Sequence, residues 1–176
     1  TDAALGLAAA QVMIAEGLVD TEYVREQTDL PILVRDDDAR FLRESDLHKG
    51  GRDDFLYFWD EARGALAPVP GCQGEGGRLL ALDGLQPALE GRYEVSLADG
   101  TVVTVRPVFA RLREQLERYT PEAAQSVTGV APATVRRFAR EMAAARTAMI
   151  FASWGACKHH HSDLFQRAMI LLMALT

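Results

Sequence analysis

Apolar residues recur at helical spacing at both ends of the chain and lose that spacing in the middle third. At the start, AALGLAAAQVMIAEG carries Ala, Leu, Val, Met and Ile at helical intervals. Asp2 is placed to cap this helix at its N-terminus, and Gly17 to stop it. Asp20 then caps a short helix over TEYVREQ, which Asp29-Leu30-Pro31 ends. After Pro107 helices resume. Val108 to Tyr119 is amphipathic, Thr120-Pro121 opens a short helix that ends at Gly129, and Pro132 opens another through about Ala145. That last helix sets Val135, Phe138, Ala139 and Met142 on one face and Arg136, Arg137 and Arg140 on the other. The final thirty residues predict a strand over Ala148 to Ala152, a polar loop, and an apolar helix from Ser162-Asp163.

Between Ile32 and Pro107 short β-like runs replace the helical pattern: PILVR, DFLYFWD, RLLAL, YEVSL and TVVTVRP. Tyr93 to Leu97, Ala98-Asp99-Gly100 and Thr101 to Arg106 read as a β-hairpin, with Asp-Gly supplying the turn. Gly71 to Gly77 fits either an irregular loop of this β-rich part or a poorly ordered excursion. The expected architecture is α/β. A helix-rich segment of an open parallel-sheet domain, residues 1-31 and 107-176, is interrupted by a β-rich insert at 32-106.

Composition narrows the chemistry. A net charge of -6 and no basic stripe interleaved with aromatics argue against nucleic acid. The longest apolar run, Ala168 to Leu175, is too short to span a membrane, so no membrane insertion is expected. Cys72 and Cys157 lie far apart and form no CxxC, which supports neither a disulfide framework nor a thiolate metal site. The chain opens on a helix cap and stops inside a helix, so a segment of a longer protein is expected.

The strand–loop–helix at the end draws the chemistry to Trp154 to Ser162, because ligands in open α/β sheets sit past the carboxyl ends of strands. His159, His160 and His161 point in different directions and cannot share one metal ion. Cys157 with His161 has tolerable spacing but lacks two further ligands. Lys158 beside the histidines makes either a positive pocket for an anion, aided by the following helix N-terminus, or a solvated loop. Asp2 is either a plain cap, contributing roughly 1 kcal/mol, or a carboxylate able to pair with a guanine edge. Tyr57, Phe58 and Trp59 read as core, and Asp36-Asp37-Asp38 as a solvated turn. Paired catalytic carboxylates, a nucleophile elbow, a Walker loop and a G-x-G-x-x-G are all missing.

Three blocks then carry a resemblance. TDAALGL with AQVMIAEGLVDTEYVREQT, YTPEAAQSVTGVAPATVRRFAREMA, and AMIFASWGACKHHHSDLFQRAMILLMALT resemble, in order, segments of the molybdopterin oxidoreductases, the dimethyl-sulfoxide reductase superfamily. They cover about the outer three-fifths of the chain. The insert is similar to that of the branch holding nitrate, selenate and perchlorate reductases and ethylbenzene dehydrogenase.

The resemblance implies a parent enzyme that holds molybdenum between two molybdopterin guanine dinucleotides (bis-MGD), near a 4Fe-4S cluster. Such an enzyme moves two electrons with an oxygen atom or hydroxyl group on a small-molecule substrate, with an iron–sulfur electron-transfer subunit as partner. It implies that Thr1 and Asp2 approach a guanine nucleotide, that Trp154, Gly155 and Lys158 lie beneath a pterin, and that Lys158 and His161 reach the molybdenum face. The family's cysteine cluster and molybdenum ligand belong upstream, so no metal ligand is expected here, and these 176 residues alone are expected to be inactive. A non-redox hydratase of the same family, and a catalytically inactive scaffold that keeps the fold, are the alternatives. Cytoplasm and periplasm are both open.

Overall fold

The computed structural model describes residues 2–71, 81–152, 155, 158 and 162–176. They divide into two compact units, Thr1–Tyr23 with Arg113–Thr176, and Val24–Leu112. The division at Leu112/Arg113 falls inside helix α4 (Val108–Leu116).

Unit 1 is helical. Helix α1 (Asp2–Ala15) is apolar almost all round, the signature of a helix enclosed by others. It packs against α5 (Pro121–Thr128), α6 (Pro132–Ala144) and α7 (Ser162–Ala174). Ala8, Ala9, Ala10, Met13, Val135, Ala139, Ala168, Leu172 and Leu175 are buried. Small residues let these helices approach closely. A Cβ added to Gly6 would lie 2.7 Å from Met169 Cε and 3.1 Å from Ala168 Cβ.

The helix ends follow the sequence. Gly17 (φ +67°) donates to the Ile14 carbonyl and Leu18 to that of Met13, a Schellman stop. Thr120 Oγ1 accepts from the Ala123 N–H at 3.1 Å, and Gly129 (φ 74°) closes α5. Two expectations need correction. Asp2 is the first residue of α1 rather than the flanking cap. Phe138 is 41% exposed, because α6 turns Val135, Ala139 and Met142 inward instead.

The strand expected over Ala148 to Ala152 is also corrected: these residues pair with no strand among the described residues, and Met149 (82%) and Phe151 (87%) are exposed. A β-like run forms a strand only where a neighbour supplies hydrogen bonds. The fold is mixed helix and strand, as expected, but every ladder among the described residues is antiparallel.

Unit 2 holds all of those ladders. It begins with α2 (Thr21–Gln27) only in part, since the division falls at Tyr23/Val24. Strands β1 (Leu33–Arg35), β5 (Val102–Pro107) and β4 (Tyr93–Ser96) form a three-stranded sheet in that order. The predicted hairpin is present. Leu97 donates to the Thr101 carbonyl at 2.8 Å, and Gly100 adopts φ +87°. A second hairpin joins β2 (Tyr57–Asp60) to β3 (Ala65–Pro68) through Gly64 (φ +62°). Leu33, Leu42, Val95, Val103 and Val105 make the core, with Tyr57, Trp59, Leu66 and Tyr93 packed against it. Trp59 and Tyr93 stack at 4.2 Å. The expected strand RLLAL starts within 72–80, outside the described residues, and Ala81 and Leu82 are not in a strand.

Candidate functional site

Of the residues singled out for chemistry, Thr1, Trp154 and His161 lie outside the described residues, as do Cys72 and Cys157. Asp2, Gly155 and Lys158 are described, and all three are exposed. A Cβ built on Gly155 meets no described atom within 4 Å.

Two contacts within unit 1 fix how α1 and α7 run. Gly6 lies against Ala168 and Met169, and beyond the Gly17 stop the Asp20 N–H donates to the Leu175 carbonyl at 3.0 Å. Position thus increases together along both helices, so they run in the same sense. Asp2 precedes the close contact by four residues, roughly 6 Å along the axis, and Ser162 precedes it by six, roughly 9 Å. Both N-termini therefore face one end of unit 1. Each adds partial positive charge there. Lys158 precedes the first residue of α7 by four positions.

Elsewhere several titratable groups are engaged in structure. Asp36 accepts from Arg106 at 2.7 Å, and Asp37 accepts from Arg35 at 2.6 Å. Arg35 also binds Asp46 at 2.7 Å, and its pKa is raised chiefly by the Asp37 hydrogen bond. The Asp36-Asp37-Asp38 turn is thus held by arginines. Among the described residues no cluster of His, Cys, Asp or Glu is arranged to hold a metal ion.

Sequence reasoning passed over Gly6 and Asp60. Gly6 sits where two helices cross; a glycine inside an otherwise apolar helix was the available signal. Asp60 is 1% exposed, and its Oδ1 accepts from the N–H groups of Ala62 (3.2 Å) and Gln86 (3.1 Å). Its Oδ2 lies 3.4 Å from Arg63 Nε without hydrogen-bond geometry. It ties the β2–β3 turn to residues 86–88, a structural role.

No protein-family model matches the chain. It is 40% identical over 196 residues to the perchlorate reductase subunit alpha of Dechloromonas aromatica, covering 100% of this chain and 21% of that protein. It is 37% identical over 175 residues to the dimethylsulfide dehydrogenase subunit alpha of Rhodovulum sulfidophilum, covering 99% of the chain and 19% of the relative. The chlorate reductase subunit alpha of Ideonella dechloratans is 38% identical over 175 residues, at 99% and 19% coverage. These alignments take in the β-rich middle third, and the chain spans about a fifth of the length of the relatives it matches. The chain belongs to the molybdopterin oxidoreductase (dimethyl-sulfoxide reductase) superfamily and corresponds to a segment of its catalytic alpha subunits.

Proposed function

We propose that this chain is a cofactor-binding segment of a molybdenum oxidoreductase catalytic subunit, in which bis-MGD holds the metal and a 4Fe-4S cluster lies in another part of the polypeptide. The observation that carries this reading is the match of 37–40% identity over 99–100% of the chain to alpha subunits of perchlorate, dimethylsulfide, chlorate and nitrate enzymes. The proposed reaction is a two-electron oxidation or reduction of a small molecule with oxygen-atom or hydroxyl transfer, coupled to an iron–sulfur electron-transfer subunit.

The residues fit a guanine dinucleotide. Two helix N-termini at one end of unit 1, with a lysine four residues before the second, suit an anionic diphosphate. Gly155 carries no side chain to block a flat ring system, and no described atom lies within 4 Å of a Cβ built on it. When bound, the cofactor supplies the two-electron redox change. This chain's residues bind and orient. The Asp2 carboxylate accepts paired hydrogen bonds from the guanine N1–H and N2–H2, with Thr1 beside it. Trp154 and Gly155 would lie beneath a pterin. Lys158 and His161 would stabilise negative charge on the substrate side and could hold a proton there.

The parallel-sheet reading belongs with this proposal. Helices that run in the same sense side by side are what right-handed βαβ connections produce on one face of a parallel sheet. Ala148 to Ala152 would be one of its strands, with neighbours from the rest of the subunit. On this reading residues 1-31 and 107-176 belong to that domain and 32-106 form its insert.

The test is metal and nucleotide analysis of the full-length subunit, expressed with cofactor supply intact. Two guanine nucleotides per molybdenum are expected. Lys158→Ala should keep both and lower kcat about a hundredfold. Protein with neither molybdenum nor guanine nucleotide would overturn the reading and favour the inactive scaffold.

A further inference from the structure

Helix α1 places a glycine inside a run of alanine and leucine, where glycine is the least favourable residue short of proline. Gly6 is buried and meets α7. A Cβ built on it would stand 2.7 Å from Met169 Cε, 3.1 Å from Ala168 Cβ and 3.8 Å from the Ala168 carbonyl carbon. The Met169 methyl ends a flexible side chain and can swing aside. The Ala168 atoms are fixed to the backbone of α7, and Ala168 is itself buried. A side chain larger than a methyl at position 6 is therefore accommodated by moving one helix off the other.

The contact lies near the N-terminal end of the α1/α7 pair, four residues after Asp2 and six after Ser162. The opposite end is tied separately. Asp20 donates to the Leu175 carbonyl at 3.0 Å, beyond the Gly17 stop that lies roughly 16 Å along the axis from Gly6. Arg140 of α6 holds Glu16 at that same end. A wedge at position 6 thus pivots on the far ties, and the displacement grows toward the two N-termini.

We propose that Gly6 is a positioning residue for the cofactor: its close contact with Ala168 sets the spacing between the N-termini of α1 and α7. This rests on the cofactor-binding reading given above and deepens it. A guanine held by the Asp2 carboxylate and a diphosphate held at the start of α7 belong to one molecule, whose covalent bonds bound the distance between them. The two helix ends must match that distance. Gly6 touches neither group and acts through the placement of α1.

The experiment uses the full-length subunit in its assembled enzyme, expressed with cofactor supply intact. Guanine nucleotide and molybdenum per subunit are counted after prolonged dialysis, and urea unfolding is followed on the same samples. Gly6→Leu favours the helix itself but opens the seam, and should lower retained guanine nucleotide about tenfold, the equivalent of one charged hydrogen bond. Leu172→Ala, at a buried position one turn beyond Ala168, leaves a cavity rather than a wedge. It should lower the urea midpoint and keep the nucleotide. Gly6→Ala combined with Ala168→Gly moves the missing methyl to the other helix, and should retain more nucleotide than Gly6→Ala alone. If Gly6→Leu does not accumulate, that pair decides. Nucleotide loss that follows the urea midpoint through all variants would show a merely structural role and overturn the proposal, as would full retention in Gly6→Leu. Unsubstituted protein with neither molybdenum nor guanine nucleotide would remove the cofactor-binding reading and the positioning role together. If it carries both and Gly6→Leu does too, only the positioning role fails.

Discussion

The two units bury their apolar surface to different degrees. Unit 2 encloses Phe58, Leu33, Leu42 and Val105 between two hairpins and a three-stranded sheet. Unit 1 encloses an alanine-rich seam between helices but leaves Met149, Phe151, Leu164 and Ile170 exposed. Hairpins joined by short loops satisfy their hydrogen bonds with sequence neighbours, so a β-rich unit of this kind carries its own partners. The 148–152 run has no such neighbour among the described residues. Its side chains are β-like, yet it forms no strand here.

This contrast can be broken in three ways. The largest effect is expected from Phe58→Ala, which empties the most voluminous fully buried position of unit 2. It should destabilise that unit by about 3–5 kcal/mol while the α1/α7 contacts of unit 1 survive. Hydrogen exchange, read separately on β5 and on α1, checks this; equal loss of protection in both would show one cooperative block. Next is Phe151→Ser. In the 176-residue chain, where Phe151 is exposed, it should change stability by less than about 0.5 kcal/mol. In the full-length subunit it should cost about 2–4 kcal/mol if the run is a buried strand there. Equal effects in the two proteins, measured by urea unfolding, would remove the idea that unit 1 is completed by other strands.

The smallest effect concerns Glu16 and Arg140, which bind bidentately at 2.7 and 2.8 Å and tie the end of α1 to α6. The Arg140 hydrogen bond holds Glu16 below its ordinary value of 4.5, against a smaller opposing push from burial. A depressed folded value means the contribution is present above the ordinary carboxylate range and disappears as pH falls through the folded value. Arg140→Gln should therefore lose stability at about pH 7 and match the unsubstituted protein near about pH 2. An unchanged difference at both pH values would show that the pair does not couple to folding. The pair is exposed, so the effect is modest.

Helix ends were legible because their signals are local. Gly17, Thr120-Pro121, Gly129 and Pro132 each act within one turn, and each stands where the sequence puts it. The β4–β5 hairpin was legible for the same reason, its Asp-Gly turn lying between two alternating runs. Strand β3 was not, since Ala65-Leu66-Ala67-Pro68 has little β propensity and exists because β2 pairs with it. Helix α3 (Glu44–Leu47) is a single turn, too short to show a period. At the candidate site, sequence marked Asp2, Gly155 and Lys158 as separate residues. That α1 and α7 run in one sense, bringing both N-termini to one end, depends on contacts between residues 6 and 168 and between 20 and 175.

By itself, then, the sequence determined the helices with their caps, the β-rich character of the middle third and the family to which the three blocks point. Those features depend on neighbours a few residues apart or on the order of motifs, both of which a linear chain displays. Tertiary structure alone decided the sense of α1 against α7, the close approach of Gly6 to Ala168 and Met169, and the strand order β1-β5-β4. It also decided that an apolar run at 148–152 stands exposed, because a strand is a property of a pair and burial is a property of the whole.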